Sequence, residues 1–188
     1  VKGNSAVFRR WSMSMPPAKD NNCYLNFLAT HDGIGLRPLE GILKNKDLRI
    51  LLNTLKNFGS KFTFRKTKNN KKAIYEANIS LFDCFLGTIN GKDDFAYNRF
   101  YSAHAIMLSF EGLPAIYIHS LFGTRNNFDL LKKTKLNRSI NRSSYCYDHL
   151  KKILQNTDSH GYKVYKNILN LIDIRKKQTA FHPNATQY

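Results

Sequence analysis

Two short apolar runs and three longer helical patterns organise the chain. Residues 22–29, NCYLNFLA, are mostly apolar, which predicts a strand buried on both faces, as in a parallel sheet. A second such run, GLPAIYIHSLFG (112–123), is bounded by glycines and predicts a second buried strand. In DLRILLNTLKNFG (47–59), Leu48, Leu51, Leu52 and Leu55 share one helical face and Gly59 supplies the stop. The stretch DDFAYNRFYSAHAIMLSFEG (93–112) reads as the clearest helix, opened by acidic residues that complement the helix dipole. Tyr97, Phe100, Tyr101, His104, Met107 and Leu108 share its inner face, where His104 reads as a core histidine rather than a ligand. In GYKVYKNILNLIDIRKK (161–177), Tyr165, Ile168, Leu169 and Ile172 face inward.

Between the first strand and the long helix, KFTFRKTKNNKKAIYEANIS alternates, breaks at a polar tip (Lys68–Lys72) and resumes, which predicts a hairpin. SLFDCFLGT reads as a short helix or turn with a glycine stop. The order is strand, long excursion (30–92), helix, strand, long polar loop (119–160), helix. Buried strands each followed by a helix predict an α/β fold with parallel strands. The connections after both strands are unusually long, and on such scaffolds long ordered loops are where function usually sits.

The 188 residues fit one domain, and 42% are hydrophobic. Lys and Arg total 30 against 13 acidic residues, a formal charge of +17. Such a balance attracts phosphate, so a non-enzymatic basic domain that binds a polyanion is one alternative. The positive residues, however, are spread from Lys2 to Lys177, which predicts a solvated surface and no specific nucleic acid partner. Cys23, Cys84 and Cys146 are isolated, without metal-ligand spacing or a disulfide framework. Cys23 and Cys84 read as small hydrophobes, and a reducing cytoplasm is the expected compartment. No apolar run approaches the roughly 20 residues of a membrane span, and no signal-peptide core is visible. A first residue Val1 and an ending AFHPNATQY read together as a piece of something longer.

The candidate chemistry lies in YLNFLATHDGIGLRP (24–38), where an apolar run ends in His31 and Asp32. Strand ends hold the active sites of parallel α/β barrels, and Gly33 and Gly35 permit a sharp turn. A carboxylate beside a histidine suits an oxocarbenium-like transition state of a sugar. From spacing alone, an Asp32 that caps a turn and a His31 that merely packs are equally open.

NFLATHDGIGLRP resembles the fourth conserved region of the alpha-amylase superfamily, glycoside hydrolase family thirteen, and its longer form is similar to the sucrose phosphorylase-like subfamily. EANISLFDCFLGT (76–88), AIMLSFEGLPAIYIHSLFGTRNN (105–127), NRSINR (137–142) and AFHPNATQ (180–187) resemble that subfamily's segments in the same order. The resemblance implies a partial (β/α)8 barrel: residues 1–188 as its C-terminal part, carrying strands seven and eight. It implies that Asp32 is the transition-state stabiliser and that His31 hydrogen-bonds sugar hydroxyls. The loop 123–142 would match the mobile acceptor loop, with Arg125, Asn126, Arg138 and Arg142 as substrate-binding candidates. Arginines there could meet phosphate through charge-assisted hydrogen bonds. Asn127 and Leu130 depart from the subfamily, which commonly has an acid and a glycine there, and leave the acceptor open.

Retaining glycosyl transfer also needs a nucleophilic carboxylate and an acid/base carboxyl. In the family both precede the His–Asp segment, on strands four and five. Here the 30 residues before His31 contain one acid, Asp20. A full barrel takes about 250 residues. The expectation is therefore a fragment of a retaining α-glucoside phosphorylase, inactive alone. Its implied partners are an α-glucoside donor, phosphate or a sugar acceptor, and the missing N-terminal barrel half. No metal or organic cofactor and no membrane are implied. A related α-glucosidase or transglucosidase is the alternative within the same family.

Overall fold

A computed structural model describes residues 1–183 and Ala185 of the chain, so part of the AFHPNATQ segment (Asn184, Thr186 and Gln187) lies outside the described residues. A short helix α1 (Ala6–Ser12) leads to strand β1 (Leu25–Asn26). The excursion then forms β2 (Ile34–Gly35), helix α2 (Asn45–Asn57), and strands β3 (Lys61–Lys66) and β4 (Lys72–Asn78). A small hairpin of β5 (Gly87–Thr88) and β6 (Gly91–Lys92) precedes the long helix α3 (Ala96–Ser109). Strand β7 (Leu113–Pro114) follows, then helices α4 (Ile118–Leu121), α5 (Phe128–Thr134), α6 (Tyr147–Gln155) and α7 (His160–Lys177). The fold is mixed α/β.

The two apolar runs meet as a parallel pair, with Leu25 opposite Leu113 and Asn26 opposite Pro114. The amides of Leu113 and Ala115 donate to the Tyr24 and Asn26 carbonyls at 2.8 and 2.7 Å. The ladder is much shorter than either run. Pro114 brings no N–H, and at Tyr117 the chain turns into α4, so most of 112–123 is not strand. Gly112 (φ +102°) enters β7 so close to β1 that a side chain there would overlap the Tyr24 carbonyl.

The hairpin of β3 and β4 turns at Thr67–Lys71, and β2 joins it to give an antiparallel sheet of order β2-β4-β3. Helix α2 covers this sheet. Leu36, Leu55, Phe58, Ala77, Ile79 and Cys84 form the resulting core cluster. A second cluster, Ala29, Leu81, Phe82, Ala96, Phe100, Val164 and Ile168, lies between α3, α7 and the turn after β4. Ile34, Phe85 and Leu86 pack against both. Gly33 (φ +113°) sits where β2 crosses β4, and a Cβ there would overlap the Ala77 carbonyl.

Cys84 is buried, as its apolar surroundings suggest, and burial pushes its thiol well up. Cys23 is exposed, so its reading as a small core hydrophobe is wrong: it sits at the start of a run whose inward positions begin at Leu28 and Ala29. The loop 119–160 holds helices α5 and α6, which its polar composition hid. No helix among the described residues is long and apolar enough to cross a membrane.

His104 is buried on α3 with Nδ1 donating to the Phe100 carbonyl at 2.8 Å, and burial lowers its pKa. Burial also lowers the pKa of His119 and His160. Nε2 of His160 donates to the Gly123 carbonyl at 2.7 Å, so Nδ1 accepts from the Tyr97 hydroxyl. All three histidines bind protons less readily folded than unfolded. Their contribution to stability should therefore be constant above about pH 7.5 and fall as pH drops through the unfolded-state value of about 6.5. Denaturant melts at pH 7.5 and 5.5 check this, and equal midpoints would contradict it. A second expected outcome is a loss of about 3–5 kcal/mol for Phe100→Ala, which empties the centre of the second cluster.

Candidate functional site

Beyond the C-terminal end of β1 the chain makes a tight turn. The Thr30 and Gly33 amides and carbonyls bond reciprocally at 3.0 and 3.1 Å, which leaves His31 and Asp32 at the tip. The turn is held from two sides. Asn78, at the end of β4, donates from Nδ2 to the Asp32 carbonyl at 2.8 Å. Asn141 donates from Nδ2 to the Thr30 carbonyl at 2.8 Å, and its own carbonyl accepts from the Tyr117 hydroxyl at 2.9 Å. Both asparagines are buried, and these bonds satisfy backbone groups that would otherwise lose water.

Two arginines from the segment after β7 meet Asp32. Arg142 Nη2 lies 2.6 Å from Oδ1, and its Nε donates to the His31 carbonyl at 3.1 Å. Arg138 Nε lies 3.4 Å from the same Oδ1. His31 Nε2 is 3.3 Å from Oδ1, with its side chain 64% exposed. The Asp32 side chain itself is 24% exposed. Arg138 also forms a two-pronged bond to Glu76 on β4, at 2.8 and 3.1 Å. The result is an open carboxylate–arginine cluster at the end of a parallel strand.

Arg125 and Asn126 are not in that cluster. Arg125 Nε pairs with Oδ1 of the buried Asp83, and the guanidinium stacks over Phe82, 5.4 Å from the ring centre. The Asn126 amide donates to Asp83 Oδ2 at 2.8 Å. The Asn126 side chain accepts from the Ser80 amide at 2.8 Å and donates to the Phe58 carbonyl at 3.3 Å. These two residues bolt the start of the loop to the turn after β4. Asn127 caps α5, its side chain accepting from the Leu130 amide at 2.8 Å.

Four further residues hold this arrangement, and only two of them carry a sequence signal. Glu76 and Asp83 are acids inside apolar stretches, AIYEANIS and SLFDCFLGT, where a charge needs a partner. Asn78 and Asn141 sit among many surface asparagines, and nothing in their spacing marked them.

The fold and site thus define a mixed α/β chain with a carboxylate–arginine site beyond a parallel strand. No family model matches the chain. It is similar to a glucosylglycerate phosphorylase from Escherichia coli, 34% identical over 183 residues, which are 97% of this chain and 33% of that protein. A glucosylglycerate phosphorylase from Spirochaeta thermophila is 31% identical, over 100% of this chain and 32% of its own length. A solved structure, sucrose 6F-phosphate phosphorylase from Thermoanaerobacter thermosaccharolyticum, superposes with a TM-score of 0.73 at 23% identity, covering 94% of this chain and 33% of that one. The chain is similar in sequence to phosphorylases of the sucrose phosphorylase type and spans about a third of the length of the curated relatives it matches.

Removing Arg125 leaves the buried Asp83 carboxylate with the Asn126 amide but without its counter-charge. Arg125→Leu should destabilise the chain by about 1–3 kcal/mol, read as a shift in the denaturant midpoint. A shift within the scatter of ordinary surface variants would show that water replaces the guanidinium at no cost.

Proposed function

We propose that the chain supplies the strand-seven and strand-eight part of a (β/α)8 barrel in a retaining α-glucoside phosphorylase. Residues 30–92 are then the excursion after strand seven, and 119–160 the acceptor side after strand eight. The observation that carries this reading is the meeting of Arg138 and Arg142 on Asp32, beyond the ends of a parallel strand pair. The substrate class is supported by the glucosylglycerate phosphorylases among the relatives, which makes a glucosylglycerate-type α-glucoside the favoured donor.

In such a reaction a carboxylate attacks the anomeric carbon while a carboxyl group protonates the leaving oxygen. Phosphate then displaces the enzyme carboxylate and releases glucose 1-phosphate. Positive charge develops on the sugar in both steps. Asp32 is suited to stabilise that charge, and the exposed His31 to hydrogen-bond a sugar hydroxyl. The arginines suit an anionic acceptor. The nucleophile and the acid/base would come from the two-thirds of the relatives outside the match. Large apolar side chains on and just after the parallel pair also support a barrel: Leu25 is 63% exposed and Phe27 53%. Leu113 and Ile118 are exposed as well. Neighbouring barrel strands would cover such side chains.

The experiment is a hybrid of this chain with the other two-thirds of the Escherichia coli relative, given glucosylglycerate and phosphate. Glucose 1-phosphate should form, and Asp32→Asn should lower the rate by about a thousandfold. The 188-residue chain alone should give no turnover. Free glucose in place of glucose 1-phosphate, with glycerate released in either case, would favour the hydrolase reading, and a folded but inert hybrid would overturn both.

A further inference from the structure

Glu76 has no part in the chemistry proposed above, yet it is 5% exposed and only one guanidinium away from Asp32. An ionised carboxylate at that depth needs a counter-charge and hydrogen bonds. Arg138 supplies both, with Nη2 on Oε1 at 2.8 Å and Nε on Oε2 at 3.1 Å, while Asn78 Nδ2 lies 3.4 Å from Oε2. A guanidinium is planar, with its N–H groups in a fixed fork. Once Glu76 grips two of them, the plane of Arg138 is set, and the same Nε faces Asp32 Oδ1.

The shortest contacts on Asp32 all fall on one oxygen. Arg142, Arg138 and His31 all approach Oδ1. Among the described residues no hydrogen bond reaches Oδ2. A half-buried aspartate at the tip of a turn would otherwise rotate about its side-chain torsions, and its two oxygens would exchange roles. Here the arginines distinguish them. Arg142 is anchored through the His31 carbonyl, within the turn itself. Arg138 is anchored outside the turn, on the sheet, and meets Oδ1 as an ion pair, its single Nε–H being given to Glu76, so it ties the carboxylate electrostatically to the rigid part of the fold.

We propose that Glu76 is a positioning residue: through Arg138 it fixes the Asp32 carboxylate with Oδ1 held and Oδ2 left for the reacting sugar. This rests on the reading of Asp32 as the transition-state stabiliser. A charge stabiliser misplaced by about 1 Å can cost roughly a hundredfold in rate, so a residue that never touches substrate can matter to kcat.

The test has two arms. In the full chain, NMR follows the Arg138 Nε–H signal, the Asp32 carboxyl carbon, and the Phe100 and Ile168 amides as remote controls. Glu76→Gln should bring the Arg138 signal into fast exchange and move the Asp32 signal, with the controls unmoved. Glu76→Asp, which keeps the charge but shortens the reach, should give an intermediate shift. In the hybrid enzyme, Glu76→Gln should lower kcat by roughly ten- to a hundredfold, with KM for the glucoside within about twofold. If Glu76→Gln fails to fold, Arg138→Lys keeps a counter-charge and breaks the fork, and the Asp32 signal, the control amides and kcat carry the same expectations. A changed Arg138 signal with Asp32 unmoved overturns the proposal, as does an unchanged kcat in an active hybrid. An inert wild-type hybrid would remove the functional reading, and the NMR arm would then decide the positioning role alone.

Discussion

A carboxylate withdrawn from water dictates its surroundings, because leaving it unpaired costs more than most single contacts return. Glu76 and Asp83 are two such groups, both buried and seven residues apart on β4 and the turn that follows it. Each draws an arginine from the segment after β7: Arg138 goes to Glu76 and Arg125 to Asp83. The long segment between α4 and α6 is thereby fixed at two points against the excursion. Those pairings add to the burial of Ile140 and to the Asn137 side-chain bond to the Phe62 carbonyl in holding the turn at 137–141 in place. With them, Asn141 and Arg142 are delivered to the Thr30–Gly33 turn.

The apolar periodicity made the main elements readable. Helices α3 and α7 lie almost where their inner faces predict, because each buries a continuous stripe in one core cluster. The hairpin was legible from alternation and a lysine-rich tip, and the parallel pairing of the two apolar runs from the helix that follows each. The strand lengths were not. An eight-residue apolar run reads as a strand, but only Leu25 and Asn26 have a ladder partner, and Pro114 together with the turn at Tyr117 ends β7 at once. Helix α6 was missed because its apolar positions are diluted by lysines in a stretch that reads as loop. Strand β2 was missed because it is two residues long and depends on β4, far along the chain.

The site was half legible. His31 and Asp32 stand out as a polar pair closing an apolar run, and NRSINR contributes both arginines that meet them. Arg125 and Asn126 looked equivalent to those arginines in sequence, since all lie in one basic, asparagine-rich loop. What separates them is which buried acid each can reach, and that depends on the path of the chain after β4. Charge pairing between residues 42 and 62 positions apart leaves no local periodicity to read.

Phe85, Leu86 and Ile34 belong to both core clusters. A chain with two separate cores can open one while the other stays closed, and its backbone amides then exchange with solvent in two independent groups. Shared side chains remove that freedom, since neither cluster can be hydrated without exposing the three residues that complete the other. The excursion and the α3–α7 layer should therefore unlock together as one cooperative unit. Helix α6 contributes no buried residue and stands outside that unit, where it can fray without loosening the turn that presents Asp32.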